Sequence, residues 1–207
     1  HRDASAHPAP APRLPPPPRD ASVGSEPALD LTSDTTEIPT GGSAAAERRL
    51  DGFLERSIAD YAWRRDLPAE DGTSRLSPHL RFGSISVRTC LSRALEAARS
   101  ERRLAPGVAK WGDELVWREF YLAILAENPR VLRGAFREEH SAVRWEPDTD
   151  GLRAWREGRT GYPFVDAAMR ELASSGWMHN RVRMVAASFL CKDLLIDWRQ
   201  GERWFMQ

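Results

Sequence analysis

Trp177-Met178-His179-Asn180-Arg181-Val182-Arg183-Met184-Val185-Ala186-Ala187-Ser188-Phe189-Leu190-Cys191-Lys192-Asp193-Leu194-Leu195 carries the periodicity that decides the fold. Val182, Val185, Ala186, Phe189 and Leu190 recur at three- and four-residue spacing. That pattern predicts a helix from about Met178 to Leu195 with those side chains inward. The first eight residues do not suit such a helix. They offer an indole, an imidazole, an amide, two guanidiniums and two thioethers. A solvated face has no use for a Trp and two Met, and a core stripe has none for two Arg. The mixture suits a pocket that stacks a flat apolar group, hydrogen-bonds its edge and neutralises a nearby phosphate.

The same period recurs outward from this stretch. Asp197 is placed to cap a last helix that runs to the chain end. Upstream, Pro163 starts a helix with Val165, Ala168, Met169 and Leu172 as its stripe and Gly176 at its end. Asp148 to Gly158 reads as a short helix with a C-terminal Gly. Residues from about Val108 to Ala126 form a longer one, with Pro129 beyond its end. Ser86 opens a helix with Val87, Cys90, Leu91, Ala94, Leu95 and Ala98 on one face. Ser77-Pro78 reads as an N-cap followed by Pro at the first helical position, closed by Gly83. Ser43 is placed to cap the first helix, with Leu50, Phe53, Leu54, Ile58 and Tyr61 following at helical spacing. No stretch alternates as a strand does. The class is all-α, an irregular multi-helix domain over residues 43–207.

Residues 1–42 differ in kind. They contain Leu14-Pro15-Pro16-Pro17-Pro18 and almost no large apolar side chains. Such a segment cannot bury enough surface to offset its ordering entropy, so a disordered, partly polyproline linker is expected there. About 165 residues remain, enough for one domain with its own core. The net charge is zero, but the linker holds three Arg against six Asp and Glu, leaving 27 basic and 24 acidic residues beyond it. Lys110 and Lys192 are the only lysines. Arginine favours bidentate phosphate contacts, and a GC-rich genome enriches it as well. Cys90 and Cys191 each fall on an apolar helical stripe, which points to core packing in a reducing, cytoplasmic compartment. No stretch is long and apolar enough to span a membrane.

Two constellations could carry chemistry. Gly72-Thr73-Ser74-Arg75-Leu76-Ser77-Pro78 gathers three hydroxyls, an Arg and the free amides of a helix start, which reads either as an anion site or as a capped loop. In Trp111-Gly112-Asp113-Glu114-Leu115-Val116-Trp117-Arg118-Glu119-Phe120-Tyr121, helical spacing puts Trp111, Glu114 and Arg118 on one face. Trp117 and Tyr121 share a neighbouring face. Trp111 stacked by Arg118, with Glu114 as counter-ion, and a ligand-lining face are both consistent with that spacing. Trp145, Trp155, Trp177 and Trp198 lie on four successive segments and could converge, or each could fill core. His79, His140 and His179 have no His or Cys partner at ligand spacing, so no metal site is supported.

Together these stretches resemble the DNA photolyase/cryptochrome family in its helical FAD-binding domain. The resemblance covers roughly residues 47–207. It rests on the Gly72–Ser77 and Glu114–Tyr121 runs and on Gly158-Arg159-Thr160-Gly161-Tyr162-Pro163. It continues through Asp166-Ala167-Ala168-Met169-Arg170, Gly176–Arg181 and Lys192-Asp193-Leu194-Leu195-Ile196-Asp197-Trp198-Arg199. It implies that Tyr61, Thr73, Ser74, Arg75, Leu76, Ser77, Trp111 and Arg118 hold FAD. It implies that Glu114, Trp117, Asn180 and Met184 line the pocket for a flipped-out pyrimidine dimer, with Arg65 and Arg181 against DNA. Trp145 and Trp198 match two members of an electron-transfer tryptophan chain. The Trp177–Met184 string is similar to that of class I cyclobutane-dimer photolyases. The implied activity is light-driven dimer repair by electron transfer from reduced FAD, with a light-sensing cryptochrome as the alternative. A monomer is expected, without metal. The resemblance further implies an antenna-chromophore domain ahead of residue 1 and further flavin-binding helices past Gln207, so the domain is expected to be incomplete at its C-terminus. By the same resemblance, Trp177 and Met178 belong to core, and Arg183 has an acidic partner past the chain end.

Overall fold

The computed structural model describes residues 39–206, so the linker expected over residues 1–42 falls almost wholly outside the described residues. The described residues are helical, with no strand among them. In chain order the helices are α1 (Ser43–Arg56), α2 (Tyr61–Arg64), α3 (Ser77–Arg81), α4 (Val87–Ser100), α5 (Ala105–Glu127), α6 (Thr149–Arg156), α7 (Pro163–Ser175), α8 (Asn180–Lys192) and α9 (Trp198–Phe205). Short 3-10 turns at 102–104, 129–132 and 138–142 join them.

The helix ends follow local chemistry. Ser86 Oγ accepts from the Thr89 amide and starts α4, and Asp148 Oδ1 accepts from the Gly151 amide at 2.8 Å and starts α6. Asp197 Oδ1 does the same for the Arg199 amide at the head of α9. Each satisfies one of the free N–H groups of a first turn. Gly176, at φ 67°, closes α7 in the left-handed conformation that glycine adopts without a Cβ clash.

Several boundaries depart from the sequence reading, among them the end of α8 at Lys192 rather than Leu195. Gly42, not Ser43, holds the cap position of α1, and no side chain caps that helix. Helix α1 stops at Arg56, because the amides of Ser57 and Ile58 both bond to the Phe53 carbonyl and the chain turns. Ile58 and Tyr61 therefore enter the core from the turn and from α2. Leu76 caps α3, with Ser77 as its first residue. Met178 and His179 lie ahead of α8 rather than inside it, and His179 is its cap.

Two apolar clusters organise the helices. The first draws Leu50 and Phe53 of α1, Tyr61 of α2, Cys90 and Ala94 of α4, and Val108, Trp111 and Leu115 of α5. Phe53 meets Trp111 at 5.0 Å and Tyr61 at 5.6 Å between ring centroids. Helix α5 crosses the 58–59 backbone at Gly107. A Cβ there would overlap the Ile58 carbonyl, whose carbon would lie only 2.9 Å away. The second cluster is built around Trp155, with Val165, Met169, Val182, Ala186, Leu190 and Ile196. Trp155 is fully buried, and its Nε1–H donates to the Ala186 carbonyl at 2.9 Å, so its one polar atom is satisfied. Burying an indole of ~150–250 Å² is worth roughly 4–6 kcal/mol of transfer free energy. Trp145, Trp177 and Trp198 remain partly exposed, and the ring partner of Trp155 is Phe205, at 5.5 Å. The four tryptophans thus make no ring-to-ring pair with one another.

Candidate functional site

A cleft of about 590 Å³ opens between the two clusters. It lies within the ~300–1,000 Å³ range of small-molecule sites. The α2 end, the 72–77 loop, α3 and α5 form one wall, and the 176–183 segment forms the other. One lobe supplies hydroxyls and an indole, and the other supplies the head of α8.

The 72–77 loop is fixed by close approach. A Cβ on Gly72 would lie 2.8 Å from Arg64 Cβ and 2.9 Å from the Arg64 carbonyl oxygen, so only glycine lets the loop lie on α2. Arg49 Nε donates to the Ser74 carbonyl at 2.9 Å and holds the loop from α1. Arg75 has φ 50°, a left-handed conformation that costs a non-glycine residue about 1–2 kcal/mol. That conformation accompanies a side chain whose guanidinium lies 4.3 Å from the Trp177 ring centroid and pairs with Asp71 at 3.1 Å. The Thr73 and Ser77 hydroxyls line the cleft and hydrogen-bond to no described residue. Leu76 is buried beneath them.

Helix α5 presents Trp111, Glu114 and Arg118 to the cleft, as helical spacing predicts. Trp111 is buried against Phe53. Arg118 Nη2 donates to the Leu80 carbonyl at 3.1 Å and so fixes α3 against α5. Glu114 accepts from Arg65 Nη1, and Arg65 is itself only 8% exposed. Arg65 thus sits at the base of the cleft, paired with Glu114, rather than out on the surface. Tyr61 lies beside it, and burial pushes its phenol up to about 12, so the hydroxyl stays protonated and able to donate.

Across the cleft, His179 is 1% exposed. Its Nδ1 accepts from the Arg181 amide at 3.1 Å, which assigns the proton to Nε2. Nε2 is buried and makes no well-formed hydrogen bond, although the Arg65 carbonyl nearby favours the protonated ring. Burial, assisted by the Arg181 charge, outweighs that effect and holds His179 below the usual histidine pKa. Asn180 and Arg181 follow on the first turn of α8 and line the cleft. Arg181 Nε donates to Asp66 Oδ1 at 2.6 Å.

The expected site residues divide. Tyr61, Arg65, Thr73, Ser74, Arg75, Leu76, Ser77, Trp111, Glu114, Arg118, Asn180 and Arg181 all line this one cleft. Trp117, Met184, Trp145 and Trp198 do not. Trp117 is turned about 120° from Trp111 on α5. It stands exposed in an aromatic group with Phe120 at 5.4 Å and Tyr121 at 6.0 Å. Met184 lies one turn along α8, exposed, with its sulfur 3.8 Å from Asn180 Nδ2. Trp145 and Trp198 are half-buried, and the Glu146 amide donates to the Leu195 carbonyl at 2.8 Å, joining their two segments. Trp177, expected in the core, instead lines the cleft under Arg75, while Met178 is buried as expected. Leu80, Arg81, Leu122, His179 and Arg183 also line it and were not singled out as ligands from sequence. Arg183 has no carboxylate partner among the described residues, and its guanidinium lies 4.8 Å from the Phe205 ring centroid.

Charge decides what the cleft can hold. Six arginines line it (65, 75, 81, 118, 181 and 183), against the single carboxylate of Glu114. With the Thr73, Ser74 and Ser77 hydroxyls and the Trp111 and Trp177 rings, this donor set suits an anionic ligand that carries flat ring systems.

The model for the FAD binding domain of DNA photolyase matches residues 111–207. The chain belongs to the DNA photolyase family. A deoxyribodipyrimidine photo-lyase of Halobacterium salinarum is 45% identical over 86% of this chain. The chain spans 38% of that relative's length. Among solved structures, a bacterial class III photolyase from Agrobacterium tumefaciens superposes with a TM-score of 0.78 at 40% identity, covering 86% of this chain and 37% of that one. A Synechocystis sp. PCC6803 cryptochrome superposes with a TM-score of 0.76 at 34% identity, covering 86% and 38%.

Proposed function

We propose that the full gene product carrying this chain is a deoxyribodipyrimidine photo-lyase that repairs cyclobutane pyrimidine dimers in DNA, and that the cleft is part of its FAD site. The observation that carries this reading is the arginine-rich, hydroxyl-lined and indole-walled cleft, in which twelve residues assigned by family resemblance converge. Its chemistry fits FAD. Thr73, Ser74 and Ser77 offer hydroxyls to a pyrophosphate and ribityl chain, and Arg75 and Arg118 offset their charge. Trp111 supplies a flat apolar wall. When bound, the flavin supplies light absorption and the electron that opens the cyclobutane ring.

The chain's own residues bind and orient the lesion. A dimer inside the duplex must leave the stack, at a cost of a few kcal/mol that is least for damaged bases. Glu114 and Asn180 hydrogen-bond the base edges, Trp117 stacks on the rings and Met184 makes a soft apolar contact. Arg181 and Arg65 offset phosphate charge, and Arg65 also holds the Glu114 carboxylate in place. Trp145 and Trp198 serve electron transfer. Residues 43–207 form part of the flavin- and DNA-binding domain and residues 1–42 a linker. The protein works as a cytoplasmic monomer without metal, and an antenna chromophore binds outside this chain.

The similarity to a cryptochrome keeps a light-sensing reading in view, and one assay separates the two. FAD-loaded, photoreduced gene product is irradiated with near-UV or blue light in the presence of a dimer-containing oligonucleotide. Light-dependent loss of dimer that is abolished in Trp117→Ala and Asn180→Ala supports repair. A flavin-loaded protein that leaves the dimer intact would favour light sensing.

A further inference from the structure

Asp66 lies beside the cleft rather than in its lining, and neither the fold nor the proposed function accounts for it. It follows α2, half exposed, with no place in either apolar cluster. Its Oδ1 accepts from Arg181 Nε at 2.6 Å across a sequence separation of 115 residues, and lies 3.5 Å from Arg65 Nε. Arg65 in turn donates to Glu114. Arg181, Asp66, Arg65 and Glu114 thus form a continuous charged chain that joins the head of α8, the end of α2 and the middle of α5. The same two walls also meet where the Arg75 guanidinium lies over the Trp177 ring and where the Arg65 carbonyl approaches His179.

We propose that Asp66 is a positioning residue that orients the Arg181 guanidinium for the DNA strand carrying the lesion. This rests on the proposed reading of Glu114, Asn180 and Arg181 as contacts to dimer-containing DNA. The bond takes only Nε of Arg181 and leaves both terminal amino groups without a partner among the described residues. An arginine held at Nε presents its remaining N–H fork in one plane, which matches a phosphate bidentately. An unheld arginine would lose more side-chain freedom on binding. The arrangement also has an electrostatic cost. A carboxylate beside a DNA-facing arginine weakens the attraction for every DNA, damaged or not. Asp66 is therefore suited to discrimination between DNAs rather than to overall affinity.

The two effects have opposite signs, which makes the proposal testable. The FAD-loaded full gene product is compared with Asp66→Asn, Arg181→Ala and the double variant. Fluorescence anisotropy measures affinity for a dimer-containing duplex and for the same duplex undamaged, with flavin content as the control for fold. The expected result for D66N is equal or tighter binding to undamaged duplex, with the dimer-to-undamaged ratio falling roughly three- to tenfold. In the R181A background, D66N should change that ratio little, because the group it positions is gone. An unchanged ratio in D66N would overturn the proposal, as would a full further loss on top of R181A. A wild-type protein that does not discriminate at all overturns the dimer-site reading itself, a distinct outcome because it precedes any variant.

Discussion

Gly107→Ala sets two effects of opposite sign against each other at the crossing that places α5. Gly107 sits in the first turn of a 23-residue helix. Replacing a helical glycine by alanine gains up to about 1 kcal/mol from propensity alone. The added Cβ, however, would overlap the Ile58 carbonyl oxygen and lie 2.9 Å from the carbonyl carbon and 3.4 Å from the Ala59 oxygen. The obstacle is backbone, so no side-chain rotation relieves it, and either α5 or the 57–60 turn must move. Overpacking of this kind costs typically 1–3 kcal/mol, and a rigid backbone obstacle belongs at the upper end. The net expectation is a loss of about 2 kcal/mol, or about 4–8 °C in Tm for a domain of this size. Thermal unfolding of the full gene product, followed by circular dichroism, measures it. The variant should also bind flavin more weakly, because Trp111, Glu114 and Arg118 ride on the displaced helix while Thr73 and Ser77 do not. A variant stabilised by ~1 kcal/mol, as propensity alone gives, would refute the close crossing and the placement of α5 that depends on it.

Two further substitutions address the loop ahead of α7 and the head of α8. Buried Asp166 accepts from the Thr160 amide at 2.7 Å, the Thr160 hydroxyl at 2.6 Å and the Gly161 amide at 3.0 Å. Burial alone would raise its pKa, but these bonds outweigh it and hold the carboxyl below the usual range. Asp166→Asn turns an amide donor toward the Thr160 and Gly161 donors and should cost about 1–3 kcal/mol in urea unfolding; a neutral result would mean the 158–162 loop is held otherwise. His179 gives a pH dependence whose sign follows from its depressed pKa. The unfolded chain binds the proton more readily, so stability should be constant above the ordinary value of 6.5 and fall as pH drops below it toward the folded value. Asp66 and Asp166 also have depressed pKa values, but their contribution is present above 3.8 and is lost only as pH falls below it, outside that window. Urea midpoints between pH 7.5 and 5 should decline in the wild type and flatten in His179→Asn, whose amide oxygen can cap α8 without titrating. A flat wild-type profile would contradict the buried neutral imidazole.

The helices were legible because their signals are local. Val182, Ala186, Phe189 and Leu190 of the α8 stripe are buried, and the Ser86, Asp148 and Asp197 caps and the Gly176 stop each act within a turn or two with the expected partner; Val185, expected inward with them, lies exposed. Ser43 and Ser77 missed their positions by one residue, since a serine fits both the cap and the first turn. His179 was not legible as a cap, because imidazole is not among the usual capping groups. The helical face of Trp111, Glu114 and Arg118 was readable from spacing, but its choice between core and ligand was not. The answer depends on contacts with the 72–77 loop and with α8, far away in sequence. Asp66 shows the same limit more sharply. Nothing near it in sequence announces a partner 115 residues on. Trp177 was expected in the core, and the Arg75 guanidinium across the cleft gives it another use.

The flavin site proposed for the hydroxyl- and arginine-lined cleft has a direct test. Ser77→Asp tests it without disturbing the fold, because a carboxylate at the first position of α3 suits a helix start but opposes a bound phosphate. The measurement is the flavin-to-protein ratio of the purified full gene product, wild type against S77D, at matched helicity. The expected result is a near-stoichiometric yellow wild type and a variant that loses most of its flavin. A variant that keeps its full complement, or a colourless wild type that takes up no added FAD, would contradict it.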